Sequence, residues 1–275
     1  MKNLQDKPVK QGAMFLLTLL SLCCHFPMLA THLVGGEMYY DHLGGDTYEV
    51  HLIIYRDCGP TNTNGTGFDL SAAIGVYQNS TLYSDATMQL DFNAVTNIDL
   101  LSGNPCALLP PGVCIERAEY ISILNLPASD QNYTIVYQRC CRNPQVINLE
   151  DATNTGFTMF TEVPAVNSGP DIDTGSNSSS RFAALPQAYV CQGQPFELTN
   201  LATDPDGDSL IYSIGDVFIG GSFSAPTPSP PTGPPFNNVT WAEGYNALNP
   251  LGTGAMDNLQ IDPSNGTLSA NPSVV

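Results

Sequence analysis

Three aspartates at alternate positions are the clearest candidates for chemistry in this sequence. They lie in the segment Thr203-Asp-Pro-Asp-Gly-Asp-Ser-Leu210, where Gly207 lets the chain turn between Asp204, Asp206 and Asp208. Ca²⁺ is bound by about six to eight oxygens, supplied by carboxylates and carbonyls. We therefore expect these carboxylates to converge and bind one calcium ion, although the loop does not follow the EF-hand pattern. The alternative is an acidic turn that binds no ion tightly.

The cysteines predict disulfide bonds. Six cysteines follow residue 30: Cys58, Cys106, Cys114, Cys140, Cys141 and Cys191. An even number in an exported chain indicates disulfides rather than zinc, and no Cys-x-x-Cys spacing favours a metal site. Cys106 and Cys114 flank a short turn rich in proline and glycine, so we expect them to pair. The adjacent Cys140 and Cys141 would point to opposite faces of a strand. One of them would then bond Cys58, and Cys191 would bond the other or a cysteine beyond residue 275.

Catalytic signatures are not found in the sequence. It has no Gly-x-Ser-x-Gly elbow, no His-Glu-x-x-His motif and no glycine loop for phosphate. His42 and His51 are close enough in sequence for a metal pair, but we expect them to be structural or exposed. We expect Trp241, the only tryptophan, to be a core or core-edge aromatic. The alternative for Trp241 is a carbohydrate-stacking platform. The sequence therefore predicts that the protein is not an enzyme.

The first thirty residues have the composition of a signal peptide. Three lysines precede an apolar run from Ala13 to Phe26, and Ala30 is the small residue expected before cleavage. The run is shorter than the roughly 20 residues that a membrane span needs. We therefore expect cleavage before Thr31 and a location that is secreted or on the outer cell surface. A lipoprotein reading of Cys23 or Cys24 is disfavoured, because Leu22 stands where a small residue is required.

The charge of the chain excludes several classes of partner. Beyond residue 30 there are five basic and 25 acidic residues, a net charge of −20, and none of the basic residues is lysine. The basic residues are Arg56, Arg117, Arg139, Arg142 and Arg181. So few cations form no basic patch, so we expect neither nucleic-acid binding nor docking on an anionic membrane. Contact with a membrane would occur only during export.

The elements that must position these residues are predicted to be strands. Period-2 alternation of β-branched and aromatic residues indicates strands over residues 47–55, 72–77, 119–124, 133–138, 157–163 and 209–214. Gly44-Gly45 predicts a hairpin turn before the first of these. With 24 glycines and 22 prolines between short strands, the class is predicted to be all-β, built from antiparallel β-sandwiches.

Composition divides the chain into two predicted domains. The polar segment 166–181 is predicted to be a linker or long surface loop. It separates an N-terminal β-sandwich domain, 31–165, from a second β-sandwich domain, 182–275. A stretch with six prolines, Ala225 to Pro235, is expected to bridge two strands as an extended excursion. We expect the second domain to continue beyond residue 275.

Several segments resemble large exported proteins of Bacteroidota that carry the gliding motility-associated C-terminal domain. The resemblance lies in Thr31–Tyr40, Tyr48–Cys58, Tyr133–Asn143, Ala202–Tyr212 and Trp241–Leu251. The aspartate loop is also similar to the Asp-x-Asp-Gly-Asp element of cadherin-like and related Ig-like repeats. The resemblance implies a surface protein exported through the general pathway and then by type IX secretion. It also implies a C-terminal sorting domain, which would lie beyond residue 275.

These observations together predict a non-catalytic module of the cell surface. We expect a structural and adhesive role, with calcium stiffening the Ig-like/cadherin-like second domain, and with cell-surface glycans or proteins as ligands. The alternative is a carbohydrate-binding accessory region of a larger secreted polysaccharide hydrolase.

Overall fold

The computed structural model describes residues 33–59, 67–98, 113–165, 177–183, 190, 192–252 and 258–272. The predicted signal peptide, residues 166–176 of the predicted linker, Cys106 and Cys191 lie outside the described residues. The described elements are strands and one 3₁₀ turn, Ala152–Asn154, so the predicted all-β class is confirmed. No helix within these ranges is long and apolar enough to cross a bilayer.

Seven antiparallel strands form the main sheet, in the order β1-β2-β5-β4-β3-β6-β7. They are β1 (Leu33–Gly44), β2 (Thr47–Asp57), β3 (Ser71–Gln78), β4 (Thr81–Asn97), β5 (Ile115–Asn125), β6 (Tyr133–Arg139) and β7 (Phe157–Val163). The predicted Gly44-Gly45 hairpin is confirmed, since both glycines have positive φ between β1 and β2. Strands β2, β3, β5, β6 and β7 were all predicted from alternation. The pattern does not predict β4, in which only Met88 and Leu90 are buried.

One hydrophobic core receives side chains from all seven strands. Strand β2, in the interior of the sheet, contributes Val50, Leu52 and Ile54, none more than 2% exposed. Full burial of such a side chain stabilises the fold by about 1.5–3 kcal/mol. The other large members include Tyr40, Tyr48, Ile74, Val76, Met88, Tyr120, Ile135 and Tyr137. Because distant strands share this core, the sheet must curve around it.

The two edge strands of the curved sheet approach each other. A Cβ atom built on Gly36 of β1 would lie 2.6 Å from Met159 Cε of β7 and 2.4 Å from the Ile53 carbonyl oxygen. Only glycine fits this position, and the Met159 side chain packs directly on its backbone. We call this contact the β1–β7 seam. It joins the edges by side-chain packing, since β1 and β7 are not paired in the ladder.

The disulfide at one end of the sheet differs from the predicted pairing. Cys58 is bonded to Cys114, with their Cα atoms 4.9 Å apart. The reason is the register of β2 and β5, in which Asp57 pairs with Ile115 and the next residues are therefore opposite each other. The Cys58 N–H also donates to the Cys114 carbonyl, at 2.9 Å. The predicted Cys106–Cys114 bond is therefore wrong, and so is the pairing of Cys58 with Cys140 or Cys141.

The adjacent cysteines at the end of β6 also differ from the prediction. Cys140 and Cys141 are bonded to each other, with their Cα atoms 3.1 Å apart and a cis peptide between them. Both side chains are buried. The expectation that each would bond a separate partner assumed regular strand geometry, but β6 ends at Arg139, before this pair.

Two small sheets follow in the C-terminal region. Strands β8 (Arg181–Phe182) and β10 (Ala202–Thr203) pair with each other, while β9 (Phe196–Thr199), β11 (Gln260–Ile261) and β12 (Thr267–Ala270) form a three-stranded sheet. The strand predicted over 209–214 is absent there. Tyr212 instead bonds the backbone of Ala202 through its hydroxyl and donates its N–H to the Pro263 carbonyl at 3.0 Å. These contacts hold the segment in place without a ladder.

The proline-rich stretch packs against the main sheet. Gln138 of β6 exchanges two hydrogen bonds with the Thr232 backbone, at 2.9 and 3.3 Å. The Tyr77 hydroxyl of β3 donates to the Pro231 carbonyl, and the Cys140 N–H donates to the Pro226 carbonyl at 2.9 Å. This part of the predicted second domain therefore lies on the first sheet. The division into two tandem domains stays a prediction.

A short segment at the end of the predicted linker covers part of edge strand β1. The Ser179 N–H donates to the Tyr40 carbonyl at 2.9 Å, and the Tyr40 N–H donates to the Ser179 Oγ at 2.8 Å. The His42 N–H donates to the Ser178 Oγ at 3.1 Å. The segment therefore satisfies the backbone of β1 from Tyr40 to His42.

Candidate functional site

The aspartate loop follows β10 and is held by backbone hydrogen bonds. Asp204 Oδ1 accepts from the N–H groups of Asp206 and Asp208, at 2.9 and 3.2 Å, and Gly207 has the positive φ that the turn requires. Asp206 Oδ2 accepts from the Ser178 N–H at 2.6 Å. Within the described ranges, no three Asp, Glu, His or Cys side chains are arranged as a metal site. The expected convergence of the three carboxylates is thus not observed, and calcium binding stays a prediction.

His51 lies at the centre of a charged network on the outer face of β1, β2 and β5. Its Nδ1 is 2.8 Å from Glu119 Oε1, and its Nε2 is 3.2 Å from Glu49 Oε1 and 3.7 Å from Asp41 Oδ2. The Tyr39 ring stacks on the imidazole, with centroids 4.6 Å apart. The Arg181 guanidinium of β8 also lies over the Tyr39 ring, 4.9 Å from its centre, and pairs with Asp41. The Arg181–Asp41 pair ties β8 to β1, and the buried His51 joins β1, β2 and β5.

The network shifts the pKa values of two groups around His51, Glu119 and Tyr39. Burial alone would raise the pKa of Glu119, but hydrogen bonds from His51 and Arg117 outweigh it and hold the pKa below its usual value. Burial and the nearby Glu119 charge raise the pKa of Tyr39 to about 12. His42 lies apart from this network, with its Nε2 2.8 Å from the Gly45 carbonyl. The two histidines therefore do not share a site.

A groove of about 630 Å³ lies over the β1–β7 seam. One wall is Gly35–Met38 of β1, the opposite wall is Phe157–Phe160 of β7, and Gly215–Phe218 and Arg142 complete it. A second groove of about 250 Å³, along Leu33–Val34 and Asn143–Val146, shares only Arg142 and Phe157 with the first. The Arg142 guanidinium carbon lies 3.8 Å from the centre of the Phe157 ring. This stacked pair therefore separates two open grooves.

Arg142 has no carboxylate partner within 4.0 Å among the described residues. The four other described arginines form salt bridges: Arg56–Glu116, Arg117–Glu119, Arg139–Asp69 and Arg181–Asp41. Arg142 Nε is buried without an acceptor in the described part of the chain, and Nη2 makes only a long bond of 3.4 Å to the Phe218 carbonyl. Burial lowers the pKa of Arg142 to about 10, so it stays charged at neutral pH. Arg142 therefore brings to the groove a positive charge that no described carboxylate pairs with. Two carboxylates also line the groove, those of Asp216 and of Glu37, which accepts from the Tyr55 hydroxyl.

Aromatic side chains extend the groove on the β7 side. Phe160, Phe218 and Phe236 form a cluster with ring centres 5.1–6.1 Å apart, and Phe160 is 40% exposed. Trp241, in contrast, packs half-buried against a small core of Leu149, Ala152 and Val239. The prediction of a core-edge tryptophan is therefore confirmed.

Sequence reasoning does not identify Arg142 as a site residue. The groove is assembled from β1, β7 and residues 215–218, which are far apart in the chain. The one available signal is compositional, because an arginine is rare in so acidic a chain.

Compared with known proteins, the chain matches no family model, no curated protein and no solved structure.

Proposed function

We propose that this chain is a non-catalytic module of a secreted or cell-surface protein, with a structural and adhesive role. The observation that carries the proposal is the open groove over the β1–β7 seam, whose wall holds Arg142 without a carboxylate partner in the described part of the chain. Functional sites are most exact when they are built on strands of a rigid scaffold. The groove fits this description, because two of its walls are strands of a sheet with a filled core.

Export to the cell surface is supported by features outside the groove. The N-terminal thirty residues have the composition of a signal peptide. The Cys58–Cys114 disulfide is typical of an oxidising compartment. The resemblance to Bacteroidota surface proteins adds gliding motility or surface attachment as the context of this role.

A carbohydrate-binding accessory role in a larger secreted hydrolase is the second candidate. It is favoured by the three clustered phenylalanines beside the groove, since exposed aromatic faces suit the apolar faces of sugar rings. The first candidate has cell-surface glycans or proteins as ligands and the second has glycans, and neither assigns a reaction to this chain.

Attachment of protein-coated beads to a printed glycan array tests the proposal. Beads that carry the folded chain should be retained on a subset of glycans, and beads that carry heat-unfolded chain should not. The glycans should keep their mass after long incubation with the protein. Cleaved glycans would contradict a non-catalytic role, and the absence of retention on all glycans and on intact bacterial cells would contradict adhesion.

A further inference from the structure

Arg142 carries a charge that the described residues do not balance. A guanidinium removed from water is costly unless it is paired and hydrogen-bonded. Stacking on Phe157 offsets only part of this cost, and the single bond to the Phe218 carbonyl is long. The two Nη groups of a planar guanidinium can bind a carboxylate with two parallel hydrogen bonds, without the buried Nε. The groove at Arg142 is therefore suited to a ligand that carries a carboxylate.

The walls of the groove suit a sugar better than a peptide strand. An added strand would need free edges on β1 and β7, but Met159 already packs on Gly36 at the seam. A Cβ atom on Gly35 or Gly215 would meet no atom within 4 Å, so the space above these glycines is open to a ring. The exposed Asp216 and the Phe160 face offer a hydroxyl acceptor and a stacking surface.

The charge of the whole chain limits how many carboxylates the ligand can carry. The formal net charge is −18, and the other four described arginines are already paired. A polyanion would be repelled along most of its length, and in the groove by Glu37 and Asp216, whereas a single carboxylate can lie next to Arg142, the described arginine without a salt bridge. The protein therefore favours a single anionic residue on an otherwise neutral glycan.

We propose that the groove over the β1–β7 seam binds the terminal uronic acid of a neutral oligosaccharide, with Arg142 binding its carboxylate. This inference rests on the proposed adhesive function and names its ligand class. The sugar ring lies along the groove, between β1 and the phenylalanines of β7. The carboxylate lies at the Arg142–Phe157 pair, where the two grooves meet.

Calorimetric titration with two matched oligosaccharides tests the ligand class. One ends in glucuronic acid and the other in glucose, so they differ only in the carboxylate. Hydrogen bonds to a charged group predict a preference of about tenfold to a hundredfold for the acidic sugar. A polyuronate and a peptide that ends in glutamate serve as competitors. Equal affinity for the two sugars, or tighter binding of either competitor, would overturn the inference.

Three variants assign the effect to the groove. Arg142→Gln should abolish the preference for glucuronic acid, and Gly35→Leu should weaken both sugars by filling the groove while leaving Arg142 in place. Arg56→Gln, which removes an arginine paired with Glu116 outside the groove, should bind as wild type does. Thermal unfolding checks that each variant is folded. If Arg142→Gln is unfolded, Gly35→Leu still decides the location of the site.

The outcomes separate this inference from the proposed function. Retention of beads on glycans that is unchanged by Arg142→Gln and Gly35→Leu would overturn the groove as the uronate site but leave the adhesive function intact. Failure of the beads to attach to any glycan or cell would contradict the function itself.

Discussion

Replacing both Cys58 and Cys114 with serine should lower the free energy of unfolding by about 4 kcal/mol. The bond joins residues separated by 56 positions, and the closed loop contains all of β3 and β4. In the chain-entropy model, a loop of this size restricts the unfolded chain by about 14 cal/mol/K, or about 4 kcal/mol at 25 °C. Backbone pairing of β2 with β5 extends as far as Asp57 and Ile115, next to the disulfide. These hydrogen bonds do not involve the sulfur atoms, so the ladder should persist in the variant.

Urea unfolding followed by circular dichroism measures this loss. The dependence of the unfolding free energy on urea should also become steeper, because an unfolded chain without the cross-link exposes more surface. A Cys140→Ser/Cys141→Ser variant is the matched control. Its disulfide joins adjacent residues and closes no loop, so any loss there reports packing of two buried side chains.

Two results would refute this reasoning. One is a loss below about 1 kcal/mol with an unchanged urea dependence, which would mean that the bond does not restrict the unfolded chain. The other is peptide mapping of unreduced protein that links Cys114 to Cys106. The second result would also contradict the register of β2 and β5 beyond Asp57 and Ile115.

Four further variants test single side chains. Asp69→Asn should lower the unfolding free energy by about 3 kcal/mol, because it leaves the buried Arg139 guanidinium unpaired; an unchanged urea midpoint would contradict this pairing. The lowered pKa of Glu119 means that its charge stabilises the fold above about pH 4.5 and that this contribution is lost as the pH falls through the lowered value. The stability gap between wild type and Glu119→Gln should therefore narrow from pH 6 to pH 3. Burial raises the pKa of Glu37, so its charge destabilises the fold at neutral pH and this cost is lost as the pH falls. The unfolding free energy of wild type should therefore rise relative to that of Glu37→Gln from pH 6 to pH 3. Asp204→Ala should cost about 1 kcal/mol in chelator, since its carboxylate accepts from two N–H groups, and the predicted calcium site makes this loss larger in millimolar Ca²⁺; equal losses in the two buffers would contradict calcium binding.

The strands of the main sheet were predictable where both faces follow a regular pattern. Strand β2 alternates from Thr47 to Leu52 and continues in an apolar run to Tyr55, rich in β-branched and aromatic residues. Strand β4 was not predictable, because only Met88 and Leu90 of its seventeen residues are buried. Its position between β3 and β5 is fixed by those neighbours rather than by its own composition.

The site was less predictable than the fold because it depends on long-range register. The Cys58–Cys114 bond follows from the pairing of β2 with β5, and sequence proximity of Cys106 to Cys114 says nothing of this pairing. Arg142 likewise looks like any other arginine until the curved sheet brings β1 and β7 to either side of the groove. Only then does it stand out as the described arginine without a salt bridge.

The serines that cover β1 have a consequence for molecules crowded on a surface. An uncovered edge strand is a template on which a second copy can add its own strand, and such growth has no natural end. Ser178 and Ser179 occupy the hydrogen-bonding groups of Tyr40 and His42, and Met159 fills the edge at Gly36. A second copy therefore has few unpaired backbone N–H and C=O groups on β1 to which it could add a strand. Molecules packed densely would therefore not polymerise through this strand, and the groove over the β1–β7 seam would stay open.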